Sequence, residues 1–202
     1  MLYSKVIFVG DSRTVGMYET LKKQVSSSVT NGVSFLASAG QGLSWFQNEG
    51  YSQLIKEINK TESSLPVAVV FNLGVNDMAN VSNYISYMTN IAPTLKSENC
   101  KLFYMSVNPV NSTMITKAGK GARTEAQVRE FNSKIRSGLS LNYKYIDTYS
   151  VLMKKGYGTN GRYDGIDVDS DDGLHYTTKT FKRIYYYCVT YLNSGSINSS
   201  FY

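Results

Sequence analysis

The sequence predicts an α/β domain built on a parallel sheet with helices on both faces. Two observations carry this. Short apolar runs end in glycine or polar residues, and longer stretches between them repeat apolar residues at helical spacing. A run that is apolar at every position belongs to a strand covered on both faces, as parallel sheets require.

Val6–Val9 is wholly apolar and stops at Gly10-Asp11-Ser12, so it reads as a buried strand entering a tight turn. Val15, Tyr18, Leu21 and Val25 follow at helical spacing, and a second strand, Val33–Ala37, leads to Gly40 and Gly42. Tyr51, Leu54, Ile55 and Ile58 mark an amphipathic helix. After Pro66 comes the strand Val67–Leu73, ending at Gly74. Val81, Tyr84, Ile85, Met88 and Leu95 share a helical face, and Leu102–Val107 is the next strand.

Thr124-Glu125-Ala126-Gln127 fits a capping box that opens a helix with Val128, Phe131, Ile135 and Leu139 inward. Tyr143–Ile146 is the fifth strand. The last helix carries the stripe Phe181, Ile184, Tyr185, Cys188, Val189 and Leu192. With no repeat and no second domain, residues 1–193 read as one domain and 194–202 as a polar, frayed tail. The unpatterned stretch Pro109–Arg123 reads as a substrate-contacting loop or as disorder.

The bulk numbers narrow the function. At 202 residues, 42% hydrophobic and 18% charged, the chain has a globular composition. The +6 charge is spread without a dense block, and there is neither zinc-finger spacing nor a basic stripe interleaved with aromatics. Nucleic acid is therefore not expected as a partner. No apolar run approaches the ~18 residues of a membrane span. Met1–Lys5 leads directly into a strand without a signal-peptide pattern, so the chain reads as cytoplasmic or as a domain cut from a longer exported protein. The spacing of Cys100 and Cys188 supports no disulfide.

In open parallel sheets the ligand site lies outside the carboxyl ends of the strands. Those ends here carry Ser12, Gly40 with Gly42, Asn76 with Asp77, and Asn108. The single histidine, His175, follows Asp172 by three residues, close enough for the carboxylate to hold its ring, and Thr177 beyond it is a helix N-cap candidate. A serine in Ser12's position commonly just caps its helix. Its hydroxyl at the sheet rim can equally act as a nucleophile, and then it needs a base, for which His175 is the sole histidine. Asn76 can cap the next helix or donate its amide to an oxyanion; the N–H of Gly40 or Gly42 can donate there too.

Together, Gly10-Asp11-Ser12, the glycine turn at Gly40, Gly74-Val75-Asn76-Asp77 and Asp172-Gly173-Leu174-His175 resemble the four sequence blocks of the SGNH/GDSL hydrolases, in the family's order. The resemblance implies a flavodoxin-like three-layer α/β/α sandwich with a central, mostly parallel five-stranded sheet. It also implies Ser12 as nucleophile, His175 as base and Asp172 as its orienter. The oxyanion hole would consist of the Ser12 and Gly40 N–H groups and the Asn76 amide. Arg13 departs from the leucine that often follows the family's serine. The segment Phe8–Arg13, taken with Gly40-Gln41-Gly42 and Trp45, is most similar to bacterial members acting on acylated carbohydrates, which places Asp11, Arg13, Gly42 and Trp45 at the substrate.

Other signals carry less. Asp167–Gly173 imitates a calcium loop but has Asp172 where glycine belongs and Thr178 where a bidentate glutamate belongs. Gly40-Gln41-Gly42 and Gly119-Lys120-Gly121 match neither a dinucleotide fingerprint nor a P-loop. Trp45, Tyr157, Tyr163 and Tyr176 can stack on sugars or simply fill core. The expectation is an esterase releasing short acyl groups, acetyl among them, from a carbohydrate or small-molecule ester, without metal or cofactor. A carbohydrate O-acyltransferase with the same residues is the first alternative, and a non-catalytic flavodoxin-like binding module the second.

Overall fold

Along the first strand, β1 (Lys5–Gly10), side chains alternate: Val6 and Phe8 enter one core, Ile7 and Val9 the other, and all four are buried. The same division holds along β3 (Val67–Asn72), with Ala68 and Val70 on one side and Val67, Val69 and Phe71 on the other. The apolar runs are therefore continuous because the sheet has two covered faces.

The computed structural model describes residues 2–200. β2 (Val33–Ala37), β4 (Cys100–Met105) and β5 (Lys144–Ile146) complete a five-stranded sheet of order β2-β1-β3-β4-β5, parallel at every pairing. On one face lie α1 (Ser12–Gln24), α7 (Thr148–Lys155) and α8 (Thr178–Ser194), contributing Met17, Leu21, Leu152, Phe181 and Cys188. On the other lie α2 (Leu43–Trp45), α3 (Tyr51–Asn59), α4 (Val81–Ser97) and α6 (Glu125–Gly138), with a π-turn, Phe46–Gly50, between α2 and α3. This is the three-layer sandwich expected from the sequence. From β1 the chain passes outward to β2 and then to β3 on the opposite side. The crevice at the carboxyl ends of β1 and β3 is the switch point where such sheets bind ligands.

Three features depart from expectation. The stretch after Pro109 is ordered: it contains α5 (Ser112–Lys117), capped by Asn111, with Ile115 fully buried. β6 (Thr159–Asn160) and β7 (His175–Tyr176) form an antiparallel pair that was not among the five expected strands, and His175 sits on it. The tail up to residue 200 folds back. Gly195 closes α8 in the left-handed conformation, Ile197 packs on the α8 core, and the Asn198 N–H donates to Thr190 Oγ1 at 3.1 Å. Residues 201–202 lie outside the described residues. Cys100 and Cys188 are free and buried in separate cores.

Candidate active site

The turn after β1 gives the helix cap to Asp11: its Oδ1 accepts the Arg13 N–H at 2.9 Å. Ser12 is thus the first residue of α1. Its own N–H has no intrahelical acceptor, and its hydroxyl is not spent as a cap. Ser12 Oγ lies 2.8 Å from His175 Nε2, and His175 Nδ1 lies 2.7 Å from Asp172 Oδ2. The other Asp172 oxygen accepts the N–H groups of Leu174 and His175, each at 2.9 Å. Burial alone would raise the Asp172 carboxyl, but these bonds and the His175 ring hold it well below the usual carboxylate range. An ionised Asp172 claims the proton on Nδ1 and leaves the Nε2 lone pair facing the serine, the tautomer that accepts a hydroxyl proton.

The surroundings immobilise this loop. Asn160 of β6 pairs with His175, and the Thr177 hydroxyl caps α8 by accepting the Thr180 N–H at 3.4 Å. The Tyr163 ring lies over the imidazole with centroids 4.4 Å apart and planes 31° apart. Acidic residues of the calcium-like stretch serve as local caps. Asp167 accepts from the Thr178 N–H (2.7 Å) and hydroxyl (2.9 Å), and Asp171 from the Gly173 N–H (2.8 Å) and Thr159 hydroxyl (2.8 Å). Among the described residues, no group of three or more acidic, cysteine or histidine side chains is placed to hold a metal ion.

Across from the histidine, the two glycines of the second block take different places. Gly40 is exposed, has φ +74°, and stands third in a turn closed by the Gln41 N–H on Ser38 O at 3.4 Å, a position that favours glycine. Nothing lies within 4 Å of where its Cβ would be, so the turn is open to solvent. Gly42 instead packs against the Asp77 carboxylate, which a Cβ would strike. Asp77 occupies that space to accept the Leu43 N–H at 2.9 Å and the Tyr84 hydroxyl at 2.6 Å. Gly42 is therefore a close-approach residue, whose missing side chain makes room for Asp77.

Asn76 caps no helix: the short 3₁₀ turn after it is preceded by Asp77 and α4 by Asn80. Its Nδ2 donates to Gln41 O at 2.8 Å, which ties the third block to the glycine turn. One Nδ2 hydrogen remains, because a primary amide carries two donors.

Asp11, Arg13 and Trp45, expected at the substrate, are all buried. Arg13 is 4% exposed, and its guanidinium donates to the carbonyls of Leu174 (2.9 Å), Asn108 (2.8 Å) and Pro109 (3.2 Å) while lying 4.9 Å from the centre of the Tyr176 ring. It pins the serine turn to the histidine strand and to the end of β4. Trp45 is 7% exposed and fills the core on the α4 side. Asp11 is buried as the cap, and that burial pushes its carboxyl up to about 6, Arg13 opposing and Asp77 assisting.

Residues the sequence did not single out come from the segment that holds α5, from Asn111 to Arg123. The Asn111 N–H donates to Gly173 O at 2.8 Å, Lys120 Nζ lies 3.5 Å from Asp172 Oδ2, and Arg123 donates to Val75 O and to Asn76 Oδ1. One strap thus touches both halves of the site. No local pattern marks these residues, since their partners lie 47 to 62 positions away in the chain.

The parallel sheet of order β2-β1-β3-β4-β5, with a Ser–His–Asp relay at its switch point, defines a class of α/β serine ester hydrolases. Residues 6–187 match the family model described as GDSL-like Lipase/Acylhydrolase, and the chain belongs to that family. No curated protein matches the sequence. Among solved structures, the chain is similar to a member of the lipolytic protein G-D-S-L family from Veillonella parvula, with a TM-score of 0.56, 17% identity and coverage of 94% of this chain and 97% of that one. It is also similar to an acetyl xylan esterase (TM-score 0.57, 17% identity, 88% and 94% covered). A third similar structure is the C-terminal catalytic domain of a Streptococcus pneumoniae peptidoglycan O-acetyltransferase (TM-score 0.56, 14% identity, 96% and 95% covered).

Proposed function

We propose that this esterase removes short acyl groups, acetyl above all, from carbohydrate hydroxyls through an acyl-enzyme on Ser12. The observation that carries the catalytic part is the relay itself: Ser12 Oγ, His175 and the Asp172 carboxylate lie in line at 2.8 and 2.7 Å, all three residues buried. Ser12 Oγ attacks the ester carbonyl as its proton passes to His175 Nε2, and Asp172 stabilises the imidazolium. The developing oxyanion takes hydrogen bonds from the N–H of Ser12, the N–H of Gly40 and the remaining Nδ2 hydrogen of Asn76. His175 then protonates the departing sugar alkoxide, and water repeats the sequence on the acyl-enzyme.

Two features support a short acyl group on a bulky alcohol. Gly40 stands at an exposed rim with open space beside it, which suits a large, hydrated leaving group. Surface cavities of about 260–500 Å³ are lined by other residues, one of them by Pro66, Cys100 and Phe103 at the amino-terminal ends of the strands; none of these includes Ser12 or His175. The names of two similar structures, an acetyl xylan esterase and a peptidoglycan O-acetyltransferase domain, point the same way.

The test compares p-nitrophenyl acetate, butyrate and octanoate, then acetylated xylan and O-acetylated peptidoglycan, each with and without unmodified glycan as acceptor. The proposal expects kcat/KM to fall with chain length and acetate to be released from at least one glycan. Acetyl transfer to acceptor in preference to water would favour the transferase. Preference for octanoate would overturn the short-acyl reading.

A further inference from the structure

Asn76 presents a problem the catalytic reading leaves open. The terminal torsion of an asparagine is broad and two-fold, so its amide can present either Nδ2 or Oδ1 to the same point. With Nδ2 toward the substrate it stabilises an oxyanion, and with Oδ1 there it repels one. A catalytic amide must be locked in one sense.

We infer that Arg123 is the positioning residue that sets this sense, an inference that rests on the oxyanion reading of Asn76. Arg123 Nη2 donates to Asn76 Oδ1 at 3.0 Å, while Asn76 Nδ2 donates to Gln41 O at 2.8 Å. Turning the amide over would set Oδ1 against the Gln41 carbonyl and the NH₂ group against a guanidinium that has no acceptor to offer. Both neighbours therefore specify the same orientation, with the free Nδ2 hydrogen left for the substrate oxygen.

The guanidinium is itself fixed. Its Nε donates to Val75 O at 2.9 Å and its Nη1 to Gly121 O at 2.9 Å, so three directed bonds hold the planar fork. Only an arginine can span these acceptors; a lysine is a single point of charge on a flexible stem. The positive charge on Oδ1 also polarises the amide and strengthens Nδ2–H as a donor, as in any chain of hydrogen bonds. Arg123 is half-buried, and its charge interacts with Asp11 and Asp172, which oppose the lowering of its pKa by burial and by Arg13. It thus lies within electrostatic reach of both the serine turn and the histidine partner without touching the nucleophile.

The test uses p-nitrophenyl acetate kinetics on the wild type, Arg123→Met, Arg123→Lys, Asn76→Ala and the double variant Arg123→Met/Asn76→Ala, with circular dichroism on each. A hydrogen bond to a charged group predicts that Arg123→Met lowers kcat by about 10–100-fold with KM nearly unchanged. Arg123→Lys should fall between wild type and Arg123→Met. Because Arg123 acts through Asn76, the double variant should be no slower than Asn76→Ala alone.

Losses that multiply in the double variant would overturn the inference while leaving the oxyanion reading intact. So would wild-type kcat in Arg123→Met beside a slow Asn76→Ala. A silent Asn76→Ala would instead remove the oxyanion reading, and this inference with it. Should Arg123→Met fail to fold, Arg123→Lys decides: wild-type kcat there means that the fork is not needed.

Discussion

Replacing Asp11 by asparagine should make the protein more stable at neutral and alkaline pH, by an amount that vanishes in acid. Asp11 is 2% exposed and caps α1 through Oδ1, a bond asparagine reproduces equally well. Burial pushes its carboxyl up to about 6, Arg13 and the Arg13 N–H working against the rise and Asp77 with it. In the unfolded chain an aspartate titrates near 3.9, so between those values the folded state binds more protons, and stability falls as pH rises. The protonated carboxyl's contribution is complete below about pH 4 and lost above about pH 6.

At about 1.4 kcal/mol per pH unit, two units amount to about 3 kcal/mol. For a chain of this size that is roughly 6–12 °C in Tm. The Asp11→Asn variant has no proton to lose at this position and keeps the acid-side stability throughout. Asp172 and Glu57 act in the opposite sense. Burial raises the Glu57 carboxyl, but bonds from Lys5, Ser34 and Lys60 outweigh it and bring it down to about 2, so its contribution is lost as pH falls. Both groups titrate in wild type and variant alike and cancel in the difference. Thermal melts of the two proteins from pH 4 to pH 8 decide the matter. Coincident curves at pH 4 that separate upward through pH 6 are expected; a difference independent of pH, or a less stable variant at pH 8, refutes the argument.

Ser12→Ala should lower ester turnover by on the order of 10⁶ with the fold intact, and a fluorophosphonate should label wild type but not the variant. Asp172→Asn should cost about 10⁴ in kcat, because an amide facing Nδ1 favours the wrong imidazole tautomer; steady-state kinetics with p-nitrophenyl acetate measures it. Asn76→Ala should lower kcat by roughly 10²–10³ with little change in KM, since its bond strengthens in the transition state. Arg13→Met should destabilise the fold by about 3 kcal/mol or more, read from urea melts, because three buried carbonyls lose a charged donor. Gly42→Ala should lower Tm and esterase activity together, as the added methyl displaces the Asp77 carboxylate that holds Leu43.

The elements were legible because their signals are local. A strand covered on both faces must be apolar at every position, as Val67–Phe71 is, and a helix over a core must show a stripe, as α8 does; neither needs knowledge of its partner. The capping box at Thr124 and the cap at Thr177 were readable for the same reason. The grouping of Ser12, Asp172 and His175 could be anticipated because few residue types form such a relay and the chain has a single histidine. Trp45, Arg13 and Gly42 could not be placed. Composition cannot tell an aromatic at a rim from one in a core, nor an arginine awaiting an anion from one spent on three carbonyls. Those assignments, and the strap that brings Lys120 to Asp172 and Arg123 to Asn76, depend on contacts between residues far apart in the chain, 47 positions for Arg123 and Asn76 and 161 for Arg13 and Leu174. Only the folded sheet, by stacking β1, β3 and β4 with their carboxyl ends together, closes those distances.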